Sequence, residues 1–310
     1  MSNLEATLFG KFNIQNGGVA LKGIGPRKVS ELLSYLLIFR NRPQPRELLC
    51  ELLWDNQPSA ISRKYLRQTL WRLQAAIKAG ADSADLELQI DNDWIQINIT
   101  GNCWLDIAEL EKVFDHIKEK KGQELSARHV KLLEYAVGLY KGDLLEGWYS
   151  DWCIFERERF QTMHLMLLDK LVQFCEIHQK YEAGLTYGIE ILRHDHAYER
   201  THRQLMRLYF MAGNRTQALH QYERCVVALR DELNVEPSRK TKQLYEQIRL
   251  DNFKPAAFEE KMVSKTKVKA MPALRDVLHS LVEVSEVLSR LEQNIQEEIV
   301  ARDDLSSSRS

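Results

Sequence analysis

Residues 62–80, SRKYLRQTLWRLQAAIKAG, combine helical spacing with an uneven set of charges. Five cations lie in this stretch, whereas no Asp or Glu occurs anywhere between Asn56 and Ala81. A solvated helix usually mixes both signs, so an ordinary basic surface helix is one reading and a polyanion-binding helix is the other. Arg and Lys neutralise phosphates, and an amide such as Gln68 can bond to a base edge. The candidate contacts are Arg63, Lys64, Arg67, Gln68, Trp71, Arg72 and Lys78.

The apolar residues of the same stretch predict the direction of these side chains. They recur at intervals of four and three and form one stripe: Leu66, Leu70, Leu73 and Ile77. At about 100° per residue, Lys64, Gln68 and Trp71 project from the opposite side of a helix. Two roles remain open for Trp71: stacking on a sugar or base, or packing over a residue of a neighbouring hairpin.

The first hundred residues predict strands, three helices and a hairpin, in that order. Apolar side chains at even positions from Leu4 to Ile14 predict a strand pair, and helical spacing covers residues 29–37 and 48–53. Residues 86–90 and 95–99 then alternate around the turn Asp91-Asn92-Asp93, as a hairpin does. This order is that of a winged helix, with the acid-free stretch as recognition helix and the hairpin as wing. The strands before the first helix are typical of the OmpR-type variant.

The sequence from about residue 105 to 250 is helical and contains a 34-residue repeat. Leu171 aligns with Leu205, and Gly184 aligns with Ala218. A 34-residue period of helix pairs is the tetratricopeptide signature, and it predicts a short solenoid with a surface for a partner. Within ERERF (156–160), acids alternate with arginines, which we interpret as a solvated helix face.

The last sixty residues predict a linker and an isolated helix. Five lysines and two prolines indicate a basic linker over 253–272, followed by a heptad helix over 273–303 and a disordered tail over 304–310. The a and d positions of the heptads are Leu274, Val277, Leu281, Val284, Leu288, Leu291 and Ile295. Two arrangements remain open for this apolar seam. The strict seven-residue period favours a coiled-coil homodimer, and the alternative is a helix folded back onto the solenoid.

Composition and motifs argue against several other classes of protein. The formal net charge is −1. No apolar run approaches the roughly 18–20 residues that cross a bilayer, and this absence predicts a cytoplasmic protein without membrane contact. Five widely spaced cysteines indicate neither a disulfide framework nor a zinc cluster. His194, His196 and His202 lack the spacing of metal ligands, and no catalytic or cofactor-binding motif occurs. We therefore expect no metal, no cofactor and no enzymatic activity.

Four stretches of the sequence carry a family resemblance. GDLLEGWYSDW (142–152) and ERERF (156–160) resemble the opening of the bacterial transcriptional activation domain. HRQLMRLYFMAGNRTQALHQYERC (202–225) and ELNVEPSRKTKQLYEQI (232–248) resemble its closing portion. That domain follows an OmpR-type winged helix in the AfsR/SARP-type activators, which this chain resembles over roughly residues 4–250.

The C-terminal heptad helix rests on its seven-residue period and is not part of the resemblance. The resemblance implies a mainly α fold, in which an N-terminal winged helix-turn-helix (α+β, residues 1–104) precedes a tetratricopeptide-like activation domain (105–252). It also implies a sequence-specific activator, nucleoid-associated in a bacterial cytoplasm, that binds double-stranded DNA at promoter repeats and recruits RNA polymerase. A protein-interaction adaptor, whose winged helix binds protein instead of DNA, is the alternative.

Carried over by position, the acid-free stretch supplies the DNA contacts of the family. The matching positions are Lys64, Arg67, Gln68, Trp71 and Arg72. Trp71-Arg72-Leu73-Gln74 stands where the family usually has Ser-Arg-Leu-Arg, so the base preference of the family does not carry over.

Overall fold

The computed structural model describes residues 4–80, 86–99 and 103–253. Residues 1–249 form one compact unit, and residues 250–310 form a second unit, of which 250–253 are described. The predicted tail, heptad helix and linker, apart from Phe253, therefore lie outside the described residues. The same holds for the seven heptad positions named above.

The described chain is mainly helical, with two small sheets in its N-terminal part. The strands are β1 (Leu4–Thr7), β2 (Asn13–Asn16), β3 (Val19–Ala20), β4 (Gln44–Pro45), β5 (Leu86–Ile90), β6 (Trp94–Ile99) and β7 (Cys103–Leu105). The helices are α1 (Arg27–Ile38), α2 (Arg46–Trp54), α3 (Ser59–Gly80), α4 (Asp106–Ile117), α5 (Ala127–Leu139), α6 (Asp151–Ile177), α7 (Tyr181–His194), α8 (Glu199–Met211), α9 (Arg215–Leu233) and α10 (Arg239–Arg249). A 3₁₀ turn (Gly122–Glu124) joins α4 to α5.

The first sheet has the order β3-β2-β1-β7 and the second has the order β4-β6-β5. The predicted strand pair is confirmed as the antiparallel pair β1–β2, and the predicted hairpin is confirmed as β5–β6. Strand β7 was not predicted, and it pairs in parallel with β1 in the register Leu4↔Cys103. Strand β7 ends at Leu105, where the predicted helical region begins, and it completes the first sheet directly before α4.

A buried carboxylate ties the end of β1 to the start of α4. Asp106 Oδ2 accepts hydrogen bonds from the backbone N–H groups of Leu8 (2.7 Å) and Phe9 (2.8 Å), and its Oδ1 accepts one from Ile107 (2.7 Å). Burial raises the pKa of Asp106 to about 6, although these N–H donors act in the opposite direction. The carboxyl group thus satisfies three backbone donors that would otherwise be buried without partners.

The loop that carries GDLLEGWYSDW wraps around residues 8–10. Three backbone hydrogen bonds join the two segments: Gly10 N–H to Asp143 O (2.9 Å), Leu145 N–H to Leu8 O (2.8 Å) and Glu146 N–H to Gly10 O (2.8 Å). Arg157, in the second turn of α6, stabilises the loop: its guanidinium donates hydrogen bonds to the carbonyls of Leu144, Leu145 and Trp148 at 3.0–3.2 Å. The motif therefore connects the N-terminal part of the chain to α6.

The prediction that ERERF is a solvated face is wrong for Glu156, Arg157 and Arg159. Arg159 lies 2.6 Å from Glu156 and 3.0 Å from Glu111 of α4, which in turn lies 2.5 Å from Arg40. All four side chains are at least partly buried. The ion pairs join α6 to Glu111 of α4 and, through it, to Arg40. Because these partners are distant in the sequence, the local pattern of charges indicated a solvated face.

The aromatic residues of the same region form one continuous apolar core. The Phe9 ring lies 4.9 Å from the Tyr140 ring and 5.6 Å, edge-on, from the Phe160 ring. Buried residues from Leu4 to Cys175 belong to this core, which extends through both sheets and along nearly the whole length of α6.

Helices α6 to α10 pack as successive antiparallel neighbours. Four of the residues related by 34 positions are buried: Leu171, Leu205, Gly184 and Ala218. A Cβ atom on Gly184 would lie 3.0 Å from Leu208 Cδ1, so the absence of a side chain permits this close approach. Among the described residues, no helix has the length and apolar character needed to span a bilayer.

Candidate nucleic-acid interface

Helix α3 is held by its neighbours along a buried stripe. The predicted stripe is confirmed, since Leu66, Leu70, Leu73 and Ile77 are all buried against α1 and α2. The helix begins three residues before the predicted start, directly after Pro58, which lacks the N–H that a first helical turn leaves unpaired. Ser62 is also buried, and its hydroxyl lies 3.3 Å from the carbonyl of Trp54 at the end of α2.

The structure leaves every candidate contact residue of α3 on the solvent side. The exposed residues are Arg63, Lys64, Arg67, Gln68, Trp71, Arg72 and Lys78. At about 100° per residue they cover about half of the helix circumference, and from Arg63 to Lys78 they extend about 22 Å along its axis. Lys78 lies about 9 Å beyond Arg72, so it forms the far end of this surface.

Most of the cations on this surface lack a counter-charge. Within residues 4–80, 86–99 and 103–253, no acid pairs with Lys64, Arg67, Arg72 or Lys78. Unpaired cations along one face produce a positive potential that attracts polyanions.

The remaining cation, Arg63, has a partner that the sequence did not reveal. Its Nη2 atom lies 3.2 Å from Oε1 of Glu47, the second residue of α2. The acid-free stretch therefore does not produce an acid-free surface. Spacing along one helix could not show this pair, because it depends on how α2 crosses α3.

Trp71 is among the most exposed large apolar side chains of the described chain, with 69% of its surface accessible. Packing over the hairpin therefore does not account for most of its ring. The exposed ring lies between Arg67 and Arg72 along the helix, where it is available to stack.

A cleft of about 820 Å³ lies between α2, the first half of α3 and the turn of the β5–β6 hairpin. The hairpin turn is fixed to the start of α2, since Arg46 N–H donates to Asp93 O (2.9 Å) and Arg46 Nη1 donates to Asp91 O (3.1 Å). Strand β4 adds to this connection by pairing Gln44 with Ile95 of β6. The lining residues are Pro45, Arg46, Glu47, Cys50, Ala60, Arg63, Leu66, Arg67, Asn92, Asp93 and Trp94.

The cleft adds residues to the interface that sequence reasoning missed. Arg46 of α2, Asn92 of the turn and the half-exposed Trp94 of β6 come from outside α3 and line the same cleft as Arg67. Trp94 falls on the outward face of the alternating hairpin, where an aromatic residue could have been singled out. Strand β4 has two residues, one of them Pro, and gave no detectable pattern.

The histidines considered as metal ligands have protein partners instead. His202 Nε2 lies 2.8 Å from the carbonyl of His196, and Gln221 Nε2 lies 2.8 Å from the other ring nitrogen. Burial lowers the pKa of His202, which favours the neutral ring in this arrangement. In the described part of the chain, no three His, Cys, Asp or Glu residues converge as a metal site would require.

The chain is similar to known transcriptional regulators. Residues 105–249 match the family described as "Bacterial transcriptional activator domain". The chain is 25% identical over 237 residues to transcriptional regulatory protein MoaR1 of Mycobacterium tuberculosis, with 73% of each chain covered. Its fold is similar to that of Mycobacterium tuberculosis EmbR, solved in complex with a low-affinity phosphopeptide. The TM-score is 0.62 at 18% identity, over 87% of this chain and 71% of the EmbR chain. The predicted fold class, mainly α with an N-terminal α+β part, is confirmed.

Proposed function

We propose that the chain is an AfsR/SARP-type regulator, a sequence-specific DNA-binding activator, because residues 105–249 match the bacterial transcriptional activator domain and 237 residues align with a transcriptional regulator. The observation that supports DNA binding most directly is the exposed face of α3, where Lys64, Arg67 and Arg72 have no acid partner among the described residues. Lys and Arg in such a row neutralise successive phosphates.

In this proposal residues 1–104 are the DNA-binding domain and α3 lies in the major groove. Gln68 contacts a base edge, Trp71 stacks on a sugar or base, and Lys78 contacts phosphate. The hairpin turn acts as the wing, with Arg46 and Trp94 beside the backbone of the same duplex. The groove is about 12 Å wide, which admits one α-helix.

Selection of fragments from genomic DNA by the purified protein tests this function. We expect a subset of fragments that share a sequence, bound with an affinity whose logarithm falls against log salt with a slope near −5, because five or six phosphates are neutralised. Equal retention of all fragments, or affinity that does not respond to salt, contradicts sequence-specific binding. The second outcome favours the adaptor alternative, in which this surface binds protein.

The helical part, residues 105–252, is the activation domain in this proposal and contacts RNA polymerase. Two of its aromatic side chains are unusually exposed: Tyr149, at 77%, precedes α6, and Phe155, at 71%, lies in its second turn. Asp151 and Glu158 are exposed on the same face as Phe155, at spacings of four and three residues, and neither has an ion-pair partner among the described residues. An acidic and aromatic surface fits a partner segment that is basic and apolar.

The double variant Tyr149→Ala/Phe155→Ala is expected to separate binding from activation. Because both residues lie outside α3 and the hairpin, the affinity for the selected DNA should change less than about twofold, whereas transcription in a purified polymerase assay should fall roughly tenfold, as for the loss of two interface anchors. Val227→Ala/Leu233→Ala is the matched control, since it removes two exposed apolar side chains from α9. Unchanged transcription by the aromatic variant contradicts a polymerase contact at this surface.

The predicted homodimer remains a proposal, with Leu274, Leu281 and Leu288 among its contacts. A dimer fits recognition of promoter repeats, because each subunit then occupies one repeat. The nucleoid association and cytoplasmic location likewise follow from the proposed function.

A further inference from the structure

Arg63 differs from the other cations of α3 because an acid from another helix reaches it. The Arg63 and Glu47 side chains are 63% and 80% exposed, and an ion pair in that setting contributes little to folding. Glu47 also lies in the first turn of α2, where an acid interacts favourably with the helix dipole whether or not it pairs with a cation. Glu51 carries the same charge one turn later and pairs with no cation in the described chain. Stability thus gives no strong reason for this particular contact.

The position of Arg63 suits the recognition of a base. It is the fifth residue of α3, and the N-terminal residues of a recognition helix are those that contact base edges. Arginine pairs with guanine through two parallel hydrogen bonds to O6 and N7. The contact with Glu47 involves only Nη2, so most of the five guanidinium N–H donors remain free for a second partner.

We propose that Arg63 reads a guanine and that Glu47 is the positioning residue that turns its guanidinium toward the base. This inference rests on the proposed function. The Glu47 carboxylate opposes a phosphate that approaches Arg63, because like charges repel, whereas it opposes the guanine edge less, since O6 and N7 carry only partial charges. A guanidinium that is already oriented also loses less rotational freedom when the two parallel hydrogen bonds form.

Glu47→Gln tests this role with duplexes of the sequence that the wild-type protein selects. Each guanine is replaced in turn by adenine, with its pairing base, and binding is measured by fluorescence polarisation. At one guanine the wild type should discriminate by roughly tenfold or more, and Glu47→Gln should reduce that ratio to about threefold or less. The same variant should bind a random duplex at least as tightly as the wild type, because a negative charge is lost from the interface.

Two further variants make the outcome specific. Arg63→Lys keeps the charge but loses the planar fork, so discrimination should fall at the same guanine. Glu51→Gln removes the same charge from the same helix and should leave the ratio at every position unchanged. Thermal unfolding of all three variants should match the wild type, since the substituted side chains are exposed.

The inference is wrong if Glu47→Gln and Glu51→Gln raise the affinity for all duplexes alike and leave every guanine-to-adenine affinity ratio unchanged. The ion pair then has no part in recognition. If the wild-type protein binds every duplex with equal affinity, sequence-specific binding is contradicted, and the proposed role of Glu47 is contradicted with it.

Discussion

The triple variant Lys64→Ala/Arg67→Ala/Arg72→Ala is expected to bind its DNA roughly 100-fold more weakly than the wild type at 0.1 M salt. Each of these exposed side chains has no acid partner in the described structure, so each is free to neutralise a phosphate. Losing three such contacts should also make the slope of log affinity against log salt less steep by about 2.7. Titrations at several salt concentrations measure both quantities.

The control for this variant removes the same number of charges elsewhere. Lys112, Lys131 and Lys240 are exposed cations of the helical part, and none has an acid partner among the described residues. Their replacement by Ala changes the net charge equally but should alter DNA affinity less than about threefold, because distant charges are screened beyond about 10 Å at 0.1 M salt. If the two triple variants weaken binding equally, the effect is one of total charge and α3 is not the DNA-binding surface.

Phe160→Ala is expected to lower the free energy of unfolding by about 3–5 kcal/mol, because a large and completely buried ring is removed from the core. Its ring contacts Phe9, which lies beyond β1 in the N-terminal part of the chain. The loss should therefore lower the stability of residues from both sides of the boundary at 104. Urea unfolding followed by circular dichroism and by DNA binding should give the same reduced midpoint.

Phe155→Ala provides a matched control on the same helix. It makes the same chemical change five residues earlier, at a side chain that is 71% exposed, and should alter stability by no more than about 0.5 kcal/mol. If Phe160→Ala is equally mild, or if DNA binding is lost at a different urea concentration from helical structure, the two parts do not share one cooperative core.

The sequence was sufficient to predict those features of the fold that depend on local period. The stripe from Leu66 to Ile77, the pair β1–β2 and the hairpin β5–β6 each repeat with the spacing of a helix or a strand, so neighbouring residues carry the whole signal. The outward direction of Gln68 followed from the same helical geometry.

The features that the sequence did not predict depend on contacts between distant segments. Glu47 meets Arg63 only because of the crossing of α2 and α3, and Glu111 meets Arg159 only because α4 packs beside α6. Arg159 of ERERF looked solvated for the same reason, since its partner Glu111 lies 48 residues away in the sequence. Trp94 was missed because the cleft that it lines is made by three separate elements.

Under the proposed function, the loop bound by Arg157 has a consequence for the arrangement of protein and promoter. Backbone hydrogen bonds join residues 8–10, directly after β1, to residues 143–146, ahead of α6, and so restrict movement between these two segments. When α3 lies in a groove, the angular position of Tyr149 and Phe155 around the duplex axis is therefore set by the fold. In that arrangement a polymerase that contacts Tyr149 and Phe155 lies at a fixed angle around the duplex axis from the bound site. Inserting half a helical turn of DNA between the polymerase and the bound site should then place them on opposite sides of the duplex.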